Sequence, residues 1–325
     1  MVWNIILLII GMVLMIKGAD EFVDGASSIA KKFKIPTLVI GLTLVSIGTS
    51  MPELSVSINA AVKAFQNPET NNISFGNVIG SNIFNTFVVI GAASLFTPML
   101  ISKDIKKIDL PILMGIYVIL ALFAFVISPK LLEQWESIII FALMFIYIGF
   151  LLFRSRKEIK KEKYDLNEIS EINIKSNLML VLFGLAGVIG GGTLVVDNAE
   201  IIATTSLGMD PLLVGLTVVS IGTSLPELIT SIVAAKKGEN DIAVGNAIGS
   251  SLFNIVLILG LSSTINPMSI GMENIVDISV MFASAFIIFI MAFGKAKVTN
   301  WKGIILLIIY VAYFTYIVLR NYGII

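Results

Sequence analysis

The chain contains apolar segments so long that they restrict its fold to one that crosses a lipid bilayer. A membrane-spanning helix needs about 20 mostly apolar residues, and we place ten such segments in the 325 residues. They lie at roughly 3–30, 37–64, 73–98, 108–128, 132–153, 177–204, 211–235, 242–266, 274–294 and 301–320. With 57% hydrophobic and 14% charged residues, the chain is predicted to be an all-α polytopic membrane protein with ten transmembrane helices.

The Lys and Arg residues predict how these helices are oriented, because short cytoplasmic loops collect such residues. When the loops are assigned alternately to two sides, only Lys63, Lys130 and Arg320 of the 22 fall on one side. We therefore expect a multi-pass protein of the cell membrane with both termini outside and the central loop in the cytoplasm. The first segment has no basic n-region or cleavage site and is expected to remain as the first span.

The two halves of the chain repeat each other. IPTLVIGLTLVSIGTSMPELSVSINAAVKA matches MDPLLVGLTVVSIGTSLPELITSIVAAKKG at an offset of 174, and SFGNVIGSNIFNTFVVIGAASL matches AVGNAIGSSLFNIVLILGLSST at an offset of 169. We divide the chain into five-helix repeats at 1–153 and 177–325, joined by a hydrophilic cytoplasmic linker, 154–176. Because each repeat has an odd number of spans, the second copy is inverted, an arrangement common in secondary transporters with a site near the midplane.

Each repeat places a proline and a glutamate inside an apolar span. In GTSMPE and GTSLPE the glycine and proline disfavour helix, so we expect the span to kink or unwind there and free backbone carbonyls. A carboxylate at the bilayer centre costs at least about 2.5 kcal/mol, and no Lys or Arg lies in the same cores to pair with Glu53 or Glu227. Thr49 precedes Glu53, and Ser81 precedes Asn85, by one helical turn, so each pair shares a face.

Oxygen must hold any metal in this chain, which contains no Cys and no His. Carboxylate, carboxamide and hydroxyl oxygens suit Ca2+ or Na+ and argue against zinc or copper. Simpler interpretations remain for single residues. The glycines of GNVIG and GNAIG have the spacing of a close helix contact, and any one Ser or Thr can bond to its own helix. Asp20, Glu21 and Asp24, like Asp197 and Glu200, lie toward segment ends and are expected to have a structural or vestibule role.

These motifs resemble the calcium/cation antiporter superfamily, specifically its prokaryotic sodium/calcium exchanger type, whose two repeats carry G-T-S-x-P-E and G-N-x-I-G-S-x-x-x-N. The resemblance implies exchange of Ca2+ for Na+ by alternating access at a midplane site. It implies that Glu53 and Glu227 bridge the bound cations and that Thr49 and Thr223 help form the calcium site. Residues implied to help line the sodium sites are Ser50, Ser224, Ser81 and Ser250, with further ligands from the carbonyls of Ser46 and Ser220. The first and sixth spans, with KGADEFVDG and GVIGGGT, resemble the sliding pair of gating helices in this family; ordinary curved helices are the alternative.

One position departs from the archaeal exchanger pattern. Asn254, which matches Asn85, stands where an acidic residue can occur, so the predicted site has two carboxylates and not three. Symmetric Glu and Asn pairs also resemble the calcium/proton exchangers of the superfamily, which leaves H+ open as the driving ion, although the GTSxPE form favours Na+. By resemblance to the potassium-dependent exchangers, Asn254 argues against co-transport of potassium.

Two other classes of function use similar residues. A cation channel also uses acidic rings, but usually around an oligomeric pore. An intramembrane enzyme could use two acids that share a proton, but the sequence has no nucleophile constellation and no cofactor motif. We therefore predict an antiporter that is not an enzyme and has no cofactor and no nucleic-acid partner. Its expected ions are Ca2+ and Na+, with H+ as the alternative, and its other partner is the lipid bilayer.

Overall fold

The structure is a computed structural model that describes residues 2–66, 71–159, 173–202, 220–271, 274–292, 297–321 and 324. This part of the chain is almost entirely helical. The helices are α1 Val2–Phe33, α2 37–49, α3 Met51–Lys63, α4 71–96, α5 105–127, α6 Gln134–Ile159, α7 Ile174–Ile201, α8 Ser220–Thr223, α9 Leu225–Lys236, α10 240–265, α11 Asn274–Met291 and α12 Asn300–Asn321.

The number of spanning helices agrees closely with the sequence prediction. Eight helices in the described ranges are long and apolar enough to cross a membrane, and α2 with α3 makes a ninth if the bent pair is counted as one span. The predicted polytopic all-helical fold is confirmed. The seventh predicted span, 211–235, is described only from residue 220 onward, so its first half lies outside the described residues.

The GTSxPE motif breaks the helix at one residue in each repeat. Ser50, between α2 and α3, has φ −84° and ψ 11°, and the two helix axes differ by 49°. Ser224, between α8 and α9, has nearly the same conformation, with φ −90° and ψ 3°. Pro52 and Pro226 follow in the first turn of the next helix, where a missing N–H leaves no hydrogen bond unmade. The predicted kink is confirmed, but very little backbone unwinds.

Three π-helical turns lie beside the repeated motifs. Gly41–Val45 immediately precedes Ser46 in α2, Asn85–Val89 interrupts α4 and Asn254–Leu259 interrupts α10. The last two begin at the matched asparagines. Such turns are rare and occur frequently at functional sites, because they shift the side chains out of the regular helical register.

Helices α4 and α10, which carry the GNxIGS motifs, form the centre of the bundle. In the most apolar 18-residue stretch of each helix, 78% of the residues are buried in α4 and 94% in α10, compared with 22% in α1. An apolar helix surface exposed to this degree is expected where lipid replaces water as the solvent. The polar side chains of the GNxIGS motifs are therefore carried by the helices farthest from lipid.

Helices α1 and α7 pack backbone to backbone along a row of glycines. Gly11, Gly18 and Gly25 recur every seven residues on α1, and a Cβ built at each would lie 2.7 Å from a carbonyl oxygen of α7. On the other side, a Cβ at Gly184 would lie 2.5 Å from the amide nitrogen of Phe22. Small residues permit this close approach between membrane helices, so the glycines set the distance between the two predicted gating helices.

Gly184→Ala is expected to lower the thermal stability of the protein, because the atoms that its Cβ would meet belong to the backbone of α1 and cannot turn away. Overpacking of this kind costs about 1–3 kcal/mol. The matched control is Gly190→Ala on the same helix, where an added Cβ meets nothing within 4 Å and alanine gains helix propensity. Thermal unfolding in detergent measures both. Equal melting temperatures for the two variants would show that the glycine contact does not hold the helices together.

Short strands join the two halves at their connecting loops. Strand β1 (Met99–Leu100) pairs antiparallel with β4 (Lys297–Val298). Strand β2 (Leu131–Leu132) pairs in the same way with β3 (Met268–Ser269). Each pair links one loop of the first repeat to one loop of the second, so the two repeats are tied together outside their helical core.

Helix α1 is also tied to the turn between α9 and α10 by charged groups. Lys237 Nζ lies 2.8 Å from an oxygen of Asp20 and 2.7 Å from one of Asp24. One turn further along α1, the Ser27 hydroxyl donates to the Glu239 carboxylate at 2.6 Å. These contacts give the two aspartates the structural role that the sequence left open beside a vestibule role.

Each half of the described structure contains an Asp–Arg pair that sequence analysis did not identify, and the arginine of the first pair lies one residue beyond the predicted end of the first repeat. Arg154 of α6 donates to both carboxylate oxygens of Asp109 at 3.0 Å and lies 3.1 Å from Asp104. In the second repeat, Arg320 of α12 donates to Asp277 at 3.0 Å. These pairs join the fourth and fifth predicted spans of each repeat, so they extend the internal repeat beyond the two motifs.

Candidate cation site

Two glutamates form the centre of the candidate site. Glu53 and Glu227 each lie in the first turn of a helix, where the backbone N–H groups favour a negative charge. Both are fully buried. In the described part of the chain neither forms an ion pair, and one oxygen of each, Oε2, has no hydrogen-bond donor. Buried acceptors in this state are suited to bind a cation.

The serines at the two helix breaks cross from one repeat to the other. The Ser50 hydroxyl donates to Glu227 Oε1 at 2.7 Å, and the Ser224 hydroxyl lies 3.0 Å from Glu53 Oε1. Ser81 of α4 is 2.9 Å from Ser224, oxygen to oxygen. The structure therefore places two of the predicted sodium-site serines, Ser50 and Ser224, against the glutamates, and a third, Ser81, against Ser224.

The threonine of each GTSxPE motif forms a hydrogen bond with an asparagine carboxamide of the opposite repeat. The Thr49 hydroxyl donates to Asn246 Oδ1 at 3.1 Å, and the Thr223 hydroxyl to Asn77 Oδ1 at 3.3 Å. Thr49 also lies beside Glu227, and Thr223 beside Glu53. A hydroxyl whose hydrogen is held by a neighbour keeps its oxygen lone pairs for a cation.

Asn77 and Asn246 are residues that sequence analysis missed. The Asn77 amide donates to the backbone oxygen of Glu53 at 3.1 Å and to Ser57 at 3.0 Å. The Asn246 amide does the same for Glu227 at 3.2 Å and for Ser231 at 2.9 Å. The sequence carries a signal for them, because they occupy matched positions in GNVIG and GNAIG. The small residues around them, however, indicate a helix contact.

The Ser46 carbonyl, a predicted ligand, keeps its helical hydrogen bond. Its oxygen accepts the Ser50 N–H at 3.1 Å and the Ser250 hydroxyl at 3.4 Å, and its role as a cation ligand stays a prediction. A break of one residue leaves that helical bond intact. In the second repeat the Ser224 N–H bonds instead to the oxygen of Ile221 at 3.2 Å, and the side chain of Ser220 lies outside what the structure describes.

The matched asparagines are buried but differ in their partners. Asn85 and Asn254 are both fully buried. The Asn254 amide donates to Asn82 Oδ1 at 3.2 Å, whereas neither polar atom of Asn85 has a partner among the described residues. The described ranges contain no group of three or more acidic, His or Cys side chains that could hold a metal ion. Ligands beyond the two carboxylates would therefore be neutral oxygens such as these.

A family model described as "Sodium/calcium exchanger protein" matches residues 3–153 and 176–319, which is most of the chain. The chain therefore belongs to the sodium/calcium exchanger family, and the family resemblance of its sequence motifs is confirmed.

Known proteins similar to the chain include proteins named as sodium/calcium exchangers. Sodium/calcium exchanger MaX1 of Methanosarcina acetivorans is 33% identical over 345 residues, covering 95% of this chain and 97% of that protein. Inner membrane protein YrbG of Escherichia coli is 36% identical over 267 residues, covering 80% and 79%. A solved structure of the sodium-calcium exchanger NCX_Mj has a TM-score of 0.82 and 29% identity, covering 97% of this chain and 98% of that one. The predicted exchanger-like fold is confirmed.

Proposed function

We propose that the protein is a secondary active antiporter that exchanges Ca2+ for Na+ across the membrane at a site built on Glu53 and Glu227. The observation that carries this proposal is the pair of buried carboxylates, each with one oxygen that lacks a donor in the described structure. Two ionised carboxylates balance the charge of one Ca2+. The remaining ligands are the hydroxyls, carboxamides and carbonyl oxygens around them, which suit hard cations.

Competition for shared oxygens couples the two ions. The Ser50 and Ser224 hydroxyls are already within hydrogen-bond distance of the glutamates of the opposite repeats, so an ion held by one carboxylate lies close to the ligands of the other. Ca2+ and Na+ therefore use overlapping positions and displace each other. Without a cation the two negative charges repel each other in a medium of low dielectric constant. This repulsion disfavours the conformational change that would carry the ion-free site from one side of the membrane to the other.

Alternating access follows from the symmetry of the site. Each contact made by Glu53 and Asn77 has a counterpart at Glu227 and Asn246, so two related packings of the repeats can expose the same oxygens to opposite sides. Helix α7 is placed to control access, because Leu185 occupies the space beside Gly48, 3.0 Å from a Cβ built there. This placement supports the gating role proposed for α1 and α7.

We propose the same sidedness as the charge distribution predicts, with both termini outside and the segment 154–176 in the cytoplasm. The strand pairs support the alternation of loops on which it rests, because each pair joins two loops assigned to the same side, and the choice of the cytoplasmic side rests on the Lys and Arg residues. The loops at Met99–Leu100 and Lys297–Val298 are both assigned to the cytoplasm. The loops at Leu131–Leu132 and Met268–Ser269 are both assigned to the outside.

Uptake of 45Ca2+ into proteoliposomes tests the driving ion. The purified protein is expected to take up Ca2+ when the lumen is loaded with Na+ and the bath contains none. A matched pH gradient without Na+ is expected to give only the uptake of protein-free liposomes. Uptake driven by the pH gradient alone would instead identify a calcium/proton exchanger, which the neutral, matched pair Asn85 and Asn254 keeps as the second candidate.

A further inference from the structure

The carboxamides of Asn254 and Asn82 form a chain of hydrogen bonds that ends at a methionine. The Asn254 amide donates to Asn82 Oδ1 at 3.2 Å, and the Asn82 amide lies 3.5 Å from the sulfur of Met281 on α11. Both asparagines are fully buried, as is Met281. Buried carboxamides this far from water must find their partners within the protein.

The methionine fixes the direction of this chain. A carboxamide can turn by half a rotation and exchange its oxygen and nitrogen, so its orientation depends on its partners. A thioether sulfur accepts hydrogen bonds and cannot donate them. Asn82 must therefore direct its NH2 group to Met281 and its oxygen to Asn254. Asn254 in turn directs its NH2 group to Asn82, which leaves its oxygen on the opposite side of the carboxamide.

The oxygen of Asn254 is thereby held as a potential ligand. Asn254 Oδ1 is buried and has no donor among the described residues. Asn254 follows Ser250 by one helical turn, and residues so spaced share a face. Ser250 lies beside Glu227. The free oxygen of Asn254 thus belongs to the helix face that borders the candidate cation site.

This chain has no counterpart around Asn85. The residue that matches Asn82 is Ser251, whose hydroxyl donates to the backbone oxygen of Ala247 at 2.9 Å. The residue that matches Met281, counted from the paired Asp109 and Asp277, is Leu113, which has no acceptor atom. Accordingly, both polar atoms of Asn85 are without a partner in the described structure.

We propose that Asn82 and Met281 are positioning residues that hold Asn254 as a neutral oxygen ligand of fixed orientation, whereas Asn85 is free to turn. The proposal rests on the proposed exchange function. It makes the two halves of the site unequal although their sequences match. It also explains how a neutral residue at position 254 serves the site, since its amide group is kept away from the cation that its oxygen faces.

Met281→Leu tests the proposal with little change in volume. We expect the KM for Ca2+ in sodium-driven uptake to rise by about three- to ten-fold, as for the loss of one net hydrogen bond, with little change in maximal rate. Leu113→Met, the reverse change at the matched position, is expected to leave KM unchanged. In an Asn254→Ala background, Met281→Leu should have no further effect. An equal effect of Met281→Leu with and without Asn254 would show that Met281 acts through packing alone and would overturn the proposal.

A second measurement separates this proposal from the function on which it rests. Absence of sodium-driven uptake by the unaltered protein would refute the exchange function. The orientation of the carboxamides is then decided by the side-chain amide NMR signals of protein labelled with 15N-asparagine, assigned with Asn254→Ala. Met281→Leu is expected to shift the Asn82 and Asn254 signals, and Leu113→Met is expected to shift neither. Unshifted signals in Met281→Leu would overturn the chain of hydrogen bonds itself.

Discussion

Glu53→Gln is expected to abolish calcium uptake and leave a folded protein. Glutamine has nearly the same shape and keeps an oxygen that can accept the Ser224 hydroxyl, which now lies 3.0 Å from the carboxylate. It removes one of the two negative charges that would balance Ca2+. Leaving a buried charge without its partner costs about 3 kcal/mol or more, which corresponds to a loss of affinity of about a hundredfold or more. Uptake of 45Ca2+ and size-exclusion chromatography together measure activity and folding.

Glu227→Gln is expected to have the same effect, because Glu227 has the same burial and the same kind of serine partner, Ser50, at 2.7 Å. The matched control is Glu133→Gln, a change of the same chemistry at an exposed residue that is expected to keep full uptake. Uptake near the unaltered rate in either site variant would remove that glutamate from the site. A large difference between the two variants would contradict the equal roles assigned to the two glutamates.

The residues that sequence predicted well are those fixed by repetition. Two copies of a motif at a constant offset must take up similar environments if they fold into similar units. The breaks at Ser50 and Ser224, with their nearly equal dihedral angles, are the clearest result. The burial of Glu53 and Glu227 likewise follows from a short polar motif within an apolar span, because lipid excludes a charged side chain from its own surface.

The residues that sequence missed depend on contacts between distant parts of the chain. Asn77 has a matched position in the repeated motif, but its link to the candidate site lies in the Thr223 hydroxyl of the other repeat, which donates to it. Met281 also could not be identified from its own segment, where it is one apolar residue among many. Its link to the site lies in the Asn82 amide, which is 3.5 Å from its sulfur. The small amount of unwinding at the first break has a local cause. Proline removes only the N–H of its own residue, whereas the N–H that bonds to the Ser46 carbonyl belongs to Ser50.

Asp109→Ala is expected to destabilise the protein more than a change at any exposed ion pair, by about 3–5 kcal/mol. The reason is that the variant leaves the buried Arg154 guanidinium without the Asp109 carboxylate. Only 7% of the Arg154 side chain is exposed, and the carboxylate of Asp109 is completely buried. Asp104 cannot replace it fully, because its own side chain is 47% exposed and ion pairs with solvated groups contribute little. Thermal unfolding in detergent measures the loss.

The second repeat supplies the matched comparison for this change. Asp277→Ala removes the corresponding acid, but 28% of the Arg320 side chain is exposed, so its charge can reach water or lipid headgroups when its partner is lost. The expected decrease in melting temperature is therefore smaller for Asp277→Ala than for Asp109→Ala. Replacing both members of the first pair by apolar residues, Asp109→Leu with Arg154→Met, is expected to recover much of the stability, because no buried charge remains. If the double variant were as unstable as Asp109→Ala, the shape of this contact, and not its charge, would hold α5 against α6.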